Sequence, residues 1–390
     1  MKRKILRVIN RFNLGGPTYN AAYLTKYLEN DYETLLVGGQ HDESEESSMH
    51  IIRELGLKPI IIPEMKREIN FKNDRIAYKK LQRIIKDFQP DIVHTHASKA
   101  GAIGRNAAYN LGTKQIYHTF HGHVFHSYFG FLKSNLYKNI EKKLAKKSTK
   151  IIAISDIQKH ELSNIHKICS EEKIEVIPLG FDLARFNDIN NVKRNKFRDE
   201  WNVKQNEIAI GIIGRLVPIK NHKFFIDVIE KIVVQTDKKI RFFIVGDGEE
   251  RLNLINYSKS KNIDFSVTKK PALLQFTSWI KEIDIVNAGM DIICLCSKNE
   301  GTPVSLIEAQ ASEKPIVSTI TGGIKNVVIN NKTALLSKNG DIQGFVKNLL
   351  KLIESKKYRE YLTQLSKEKS SEFNYETLIN KTKKLYEFKL

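Results

Sequence analysis

The chain has 390 residues, 41% of them hydrophobic and 28% charged, with a formal net charge of +20. That length exceeds one ordinary core and points to two domains, while the apolar content and frequent valine and isoleucine runs exclude a disordered chain. Three cysteines exclude a disulfide framework, and no apolar stretch approaches the roughly 20 residues that span a bilayer. Residues 1–10 are basic but lack the apolar core of a signal peptide, so a reducing cytoplasm is the expected setting. The positive charge asks for an acidic partner: a phosphorylated substrate, an anionic membrane face or a nucleic acid.

Residues 5–9 read as a strand, Gly15-Gly16-Pro17 as a turn, and a helix follows from near Thr18. The two glycines mark either a tight turn or a place where the backbone can approach a ligand with no Cβ in the way. Further strands are expected at 34–37, 59–62, 92–94 and 116–119, alternating with amphipathic helices. That is the pattern of βαβ units on a parallel, Rossmann-like sheet. The acidic run 41–48 reads as a solvated loop.

Six histidines fall between 94 and 126: His94, His96, His118, His121, His123 and His126. Few carboxylates accompany them and no thiolate stands at ligand spacing, so a metal nest is not expected. His94 and His96 share one strand face, as do His121 and His123 if that stretch is extended, and most of these rings are expected to be structural. Residues 131–150 hold seven lysines around the stripe Leu132, Leu136, Ile140 and Leu144. Such a helix either docks on its own sheet with solvated lysines or rests on anionic lipid headgroups, helped by Phe125, Tyr128, Phe129 and Phe131.

Residues 181–198 are rich in Asn, Asp, Arg and Lys and read as an exposed linker. The strand–helix alternation resumes near 205. A buried strand at 208–213 runs into Gly214-Arg215-Leu216-Val217-Pro218-Ile219-Lys220-Asn221 and then a helix, so Arg215 and Lys220 flank one strand-to-helix turn. Two cations beside a helix start either neutralise a diphosphate or are solvated surface charges. Val245-Gly246-Asp247-Gly248 is a strand and glycine turn of low specificity, and Trp279 either meets a ligand or packs the core. Cys294 and Cys296 read as small buried hydrophobes of one strand.

The most informative stretch follows that strand: Glu300-Gly301-Thr302-Pro303-Val304-Ser305-Leu306-Ile307-Glu308. Pro303 suits the first position of a helix, with Thr302 before it as a cap. Free N–H groups at that helix start can face phosphate or sugar oxygens, and Glu308 can reach a hydroxyl beside them. Glu300 stands at the carboxyl end of a strand, where open α/β sheets bind ligands. Residues 373–390 read as a final helix.

Together these stretches resemble the retaining nucleotide-sugar glycosyltransferases of family 4, over nearly the whole chain. Other landmarks are Pro90-Asp-Ile-Val-His-Thr-His96, His118-Thr-Phe-His121-Gly-His123, Ile151-Ile-Ala-Ile-Ser155, Val176-Ile-Pro-Leu-Gly-Phe-Asp182 and Ile244-Val-Gly-Asp-Gly248. The resemblance implies the α/β GT-B fold of two Rossmann-like domains, 1–185 for the acceptor and 186–370 for the nucleotide-sugar. It also implies a last helix, 371–390, that crosses back to the N-terminal domain. The implied reaction moves a sugar from a nucleotide diphosphate donor, expected to be a UDP-sugar, to an acceptor hydroxyl with retention, in bacterial polysaccharide or lipid-linked glycan synthesis.

The resemblance further implies His121 and Glu300 at the transferred sugar, with Glu308 on the ribose. It places Gly15, Gly16, Arg215, Lys220, Gly246, Trp279 and the 301–305 turn (Gly301, Thr302, Pro303, Val304, Ser305) about the rest of the donor. No Asp-x-Asp pair occurs in the chain, so no metal or other cofactor is expected, with Arg215, Lys220 and helix starts taking the metal's electrostatic task. In the same-face route implied, the departing phosphate accepts the acceptor's proton, and domain closure about the linker excludes water. The chain departs from the family after Gly322-Gly323, where Lys325 and Asn326 stand in place of proline and glutamate, and at Lys332-Thr333-Ala334. A nucleotide-sugar 2-epimerase of the same fold is the alternative. A nucleic-acid-binding protein rests on net charge alone and is not expected.

Overall fold

The computed structural model describes residues 2–13, 15–41, 47–66, 68–121, 131–188 and 190–387, without the side chains of 131–134. His123, His126, Phe125, Tyr128 and Phe129, the side chain of Phe131 and most of the acidic run 41–48 thus lie outside the described residues. The chain divides into two compact units, residues 1–181 with 373–390, and residues 182–372.

The first unit is built on seven parallel strands: β1 (Arg3–Arg11), β2 (Tyr32–Gly39), β3 (Ile60–Ile61), β4 (Ile92–His96), β5 (Gln115–Phe120), β6 (Lys150–Ala153) and β7 (Ile174–Val176). Their order is β3-β2-β1-β4-β5-β6-β7. Because successive side chains point to opposite faces, β1 feeds two cores. Leu6 and Val8 join Val93, Leu81, Ile85 and Ile103 beneath the helices Phe71–Phe88 and Ser98–Asn110. Ile5 faces the other way, with Leu24, Ile92, Ile152, Leu378 and Leu385. Local chemistry places the helices. Asn70 caps Phe71–Phe88 by accepting from Asn73 N at 3.0 Å, and Ala77, Leu81 and Ile85 form its buried stripe.

The second unit repeats the plan with β8 (Ile208–Ile213), β9 (Ile240–Val245), β10 (Phe265–Ser266), β11 (Leu274–Ser278), β12 (Ile292–Leu295), β13 (Ile316–Ile320) and β14 (Ala334–Lys338), ordered β10-β11-β9-β8-β12-β13-β14. Phe225, Val228, Ile229 and Ile232 of the helix His222–Ile232 fill one face with Phe345 and Leu349. Cys294 and Cys296 are buried in this core, where desolvation raises both thiol pKa values and keeps them inert. No helix among the described residues is long and apolar enough to cross a membrane.

The stretch 181–198 is not the exposed linker its composition suggests. Helix Val192–Glu200 occupies part of it, with Phe197 buried edge-on against Phe243 at 5.4 Å. Arg194 and Arg198 donate to the two carboxylate oxygens of Asp291 at 2.8 and 3.2 Å, and Arg198 is fully buried. Arginine counts as polar in a composition, but its stem packs as hydrocarbon and its head is satisfied by a carboxylate distant in sequence.

The final helix, Tyr375–Glu387, belongs to the first unit, where it covers the Ile5 face of the sheet. Its entry is tied by Phe181 N to Phe373 O at 2.8 Å and Tyr375 N to Phe181 O at 3.0 Å. Gly180 makes this possible, since a Cβ there would lie 2.7 Å from Tyr375 Cα. At the far end Arg3 donates to Tyr386 O at 2.9 Å and Tyr117 Oη to Leu385 O at 3.1 Å. The Tyr386 hydroxyl is buried between His94 Nδ1 at 2.5 Å and Arg7 Nη2 at 3.4 Å. Tyr386→Phe keeps the packing volume but orphans both partners. We expect a loss of about 1–3 kcal/mol in the denaturant-unfolding transition of this unit, against little change for Tyr109→Phe, whose ring is exposed.

Candidate functional site

In an open α/β sheet, ligands bind beyond the carboxyl ends of the strands where the strand order reverses. The order reverses between β1 and β4 in the first unit and between β8 and β12 in the second. The loops at the second reversal carry Arg215 and Lys220 after β8 and Glu300 after β12.

Lys220 ends a short 3₁₀ turn, Pro218–Lys220, just before the helix His222–Ile232. Its stem lies over Gly214, and its ammonium meets Glu300 Oε1 at 2.5 Å. The same oxygen accepts from Ser297 Oγ at 2.6 Å. Side-chain exposure of 23% for Lys220 and 10% for Glu300 makes this a half-sheltered pair. Removing one member leaves the other charge uncompensated, which costs more than the pair contributes. Arg215, in the same turn, is exposed.

The backbone around Glu300 is held from two sides. Lys298 N donates to Ile219 O at 2.8 Å, joining the two loops at the reversal. Gly323 N donates to Glu300 O at 2.8 Å. A Cβ on Gly322, whose φ is +46°, would collide with Glu300 O, and one on Gly323 with Gly301 O, so only glycine lets these two turns touch. Gly246 plays a like part between the loops after β8 and β9, where a Cβ would strike Gly214 O. Asp247 then accepts from Gly248 N at 2.8 Å and Ser278 Oγ at 2.6 Å.

Helix Val304–Ala311 starts one residue later than expected. Pro303, at φ −73° and ψ 92°, is the capping residue and not the first helical one, and no side chain caps the helix, Thr302 included. Proline at that place offers no N–H and no side-chain acceptor, so the amides of Val304 and Ser305 keep their hydrogens for an external acceptor. Gly301 faces open space. On the helix's second turn, Glu308 Oε1 lies 4.0 Å from Arg185 Nη2. Burial pushes this carboxyl up to about 7, with Arg185 opposing and Asp284 adding to the shift. Trp279 is 52% exposed, so it does not pack the core.

In the first unit Gly15 precedes the helix Gly16–Tyr27, and Thr18 Oγ1 fastens the turn to Asn13 O at 2.8 Å. A Cβ on Gly16 would press on Leu179 at 3.0 Å, whereas Gly15 has room for one. His121 stands just past β5, its Nε2 3.0 Å from Nδ1 of His96. Burial lowers the His121 pKa to about 3 and holds His94, His96 and His118 well below 6.5. All four rings are therefore neutral at physiological pH. His94 is structural as expected, both nitrogens being paired. Among the described residues no three of His, Cys, Asp and Glu are arranged to hold a metal ion.

In helix Phe131–Lys146 the expected apolar stripe divides. Leu144 is buried, while Leu136 is 60% and Ile140 39% exposed.

Five residues were given no role in the site by the sequence alone. Ser297 and Gly322-Gly323 carried a faint signal, a hydroxyl and a glycine pair beside strand ends. Arg185 lay in the presumed linker, and His96 was one of six histidines with nothing to single it out.

A family model described as Glycosyltransferase Family 4 matches residues 14–185, and one described as Glycosyl transferases group 1 matches residues 193–369. The chain is 30% identical over 340 residues to the UDP-Gal:alpha-D-GlcNAc-diphosphoundecaprenol alpha-1,3-galactosyltransferase of Escherichia coli, spanning 85% of this chain and 84% of that one. It is 28% identical over 303 residues to a capsular polysaccharide biosynthesis glycosyltransferase of Staphylococcus aureus, 77% of each chain. Among solved structures, Anabaena HepE in complex with UDP aligns with a TM-score of 0.80 at 17% identity, over 99% of both chains. A glycosyltransferase from Rickettsia africae aligns with a TM-score of 0.80 at 20% identity, over 99% of this chain and 98% of that one. The two structural likenesses speak to the fold.

The Glu308 environment gives a pH signature. Its carboxyl titrates near 7 when folded against an ordinary 4.5. Between those values the folded state holds the extra proton, so its contribution to stability is present below pH 4.5 and is lost as pH rises through 7. We expect Glu308→Gln to melt higher than the parent at pH 8, with the gap closing by pH 5, in parallel thermal melts without ligand.

Proposed function

Since the chain belongs to glycosyltransferase family 4 and has its GT-B fold, we propose that it transfers a sugar from a UDP-sugar to an acceptor hydroxyl, with retention and without a metal ion. The acceptor is a growing cell-surface polysaccharide or a lipid-linked glycan, the kinds of product for which the Escherichia coli and Staphylococcus aureus relatives are named. The observation that carries this reading is the Lys220–Glu300 pair at the strand-order reversal, beside Arg215 and the uncapped start of helix Val304–Ala311.

In the proposed reaction the diphosphate lies against Arg215, Lys220 and the amides of Gly301, Thr302, Val304 and Ser305, with Pro303 turning the chain between them. Charge builds on the leaving phosphate as the glycosidic bond breaks, and donors placed in advance stabilise that state more than the ground state. As Lys220 turns to the phosphate, Glu300 is released to hold sugar hydroxyls and to face the oxocarbenium-like carbon. No Asp-x-Asp pair is present to bring a divalent ion to the same place. Glu308 binds the ribose, Trp279 and the Gly246 turn lie along the nucleotide, and Gly15 and Gly16 approach the diphosphate. His121, neutral, meets the transferred sugar. The departing phosphate takes the acceptor's proton on the face from which it leaves.

The exposed Leu136 and Ile140 among lysines favour contact with an anionic membrane, where a lipid-linked acceptor would reside.

Two measurements test the reading. In a panel of UDP-, GDP- and ADP-sugars, UDP-sugars alone should support transfer, with the donor's anomeric configuration kept in the product by NMR and activity unchanged by EDTA. Lys220→Ala and Arg215→Ala should each lower turnover at least tenfold without unfolding. Loss of activity with chelator, or near-normal turnover in both variants, refutes metal-free stabilisation by these cations. For the membrane contact, sedimentation with phosphatidylglycerol vesicles should retain the protein at low salt and release it at high salt, and Leu136→Ser with Ile140→Ser should abolish retention.

A further inference from the structure

Three imidazoles lie in a row at the carboxyl half of the first sheet: His94 and His96 on β4, and His121 beyond β5. Ring centroids are 4.3 Å apart for His94 and His96, and 5.2 Å for His96 and His121, the latter stacked at 29°. The direction of the first hydrogen-bond chain follows from what each group can do. Arg7 only donates, so Tyr386 Oη accepts from its Nη2 and gives its own hydrogen to His94 Nδ1, which leaves His94 Nε2–H to donate to Thr119 Oγ1 at 2.7 Å. His94 thus meets its neighbours as a neutral ring with no hydrogen left to give.

The bond between His96 Nδ1 and His121 Nε2 at 3.0 Å needs one N–H and one lone pair. The charged and titratable groups facing His96 are His94, His121, Arg7 and His118, none of them a carboxylate that could stabilise a second proton. His96 is fully buried and its Nε2 finds no partner, nor does His121 Nδ1. If His121 were the donor, His96, on which the charge of Arg7 bears, would carry its hydrogen on that unpaired, buried Nε2. If His96 is the donor, only a lone pair is left there. Either direction leaves one outer nitrogen with an unpartnered N–H and the other with an unpartnered lone pair, so the charge decides. Arg7 lies at the His94 end of the row and bears on His96 and not on His121, which places the lone pair on His96 Nε2 and the N–H on His121 Nδ1.

Resting on the reading that His121 faces the transferred sugar, we propose that His96 is the positioning residue of the transfer. It donates from Nδ1 to His121 Nε2, and so holds His121 in the tautomer whose one free nitrogen, Nδ1–H, is a hydrogen-bond donor to a sugar oxygen. The ring is thereby specified in both orientation and polarity before the donor arrives, as a preorganised site requires.

The test pairs kinetics with a readout independent of turnover. In ¹⁵N-histidine-labelled protein without ligand, long-range ¹H–¹⁵N correlations should show the His121 hydrogen on Nδ1, the resonance being assigned by its loss in His121→Ala. His96→Ala should lower kcat at least tenfold with KM for the UDP-sugar within about threefold. His96→Asn, whose amide can donate from nearly the same place, should recover most of that loss, and His96→Gln, whose amide reaches the Nε2 position, should not. Hydrogen on Nε2 of His121, or near-normal kcat for a folded His96→Ala while His121→Ala is inactive, overturns the proposal. Full activity of His121→Ala would instead overturn the placement of His121 at the sugar, and with it the catalytic part of this inference, while the tautomer measurement would still judge the hydrogen bond itself.

Discussion

The Lys220–Glu300 ion pair is the contact about which the loops at the second unit's strand-order reversal are arranged. It joins loops that leave neighbouring strands in opposite lateral directions, and so it stands where the sheet leaves a crevice. Both charges are half withdrawn from water, a state tolerable only while each has the other. In the proposed reaction the diphosphate takes the place of Glu300 as the partner of Lys220 and leaves the Glu300 carboxylate for the sugar. Without a ligand, the pair keeps the cation and the carboxylate near the positions that the proposed reaction would use.

That arrangement depends on backbone approaches that side chains would forbid. Gly322 and Gly323 let the turn after β13 touch the Glu300 turn, and Gly246 lets the turn after β9 touch Gly214. These glycines are part of the scaffold, and whatever ligand contact they make follows from it. The uncapped helix at Val304 works in the opposite sense, since a missing contact there leaves amides open to an anion.

In the first unit the polar elements are buried in the sheet instead of bordering it. Arg7, His94, Thr119 and Tyr386 are all inside, and their hydrogen-bond directions are decided by the one group that can only donate. The final helix supplies Tyr386 to this network, which ties the end of the chain to the strand that carries His94 and His96. A helix that closes a hydrophobic layer thus also fixes the tautomer of His94.

From the order of residues alone one could read two parallel sheets, the loops that follow β1, β8 and β12, and the presence there of Gly15, Arg215, Lys220, Glu300 and Glu308, because strand periodicity and turn chemistry are local. Partners were not legible. Lys220 and Glu300 are 80 positions apart and His96 and His121 are 25 apart, and which loops meet depends on a strand order that does not follow the chain. The 181–198 stretch was misjudged for the same reason, since its arginines are satisfied by Asp291 far along the sequence. Local pattern therefore determined the elements and the candidate side chains. Only the tertiary structure decided their pairing, their burial and so their protonation, because those depend on desolvation and on neighbours brought together across the sheet.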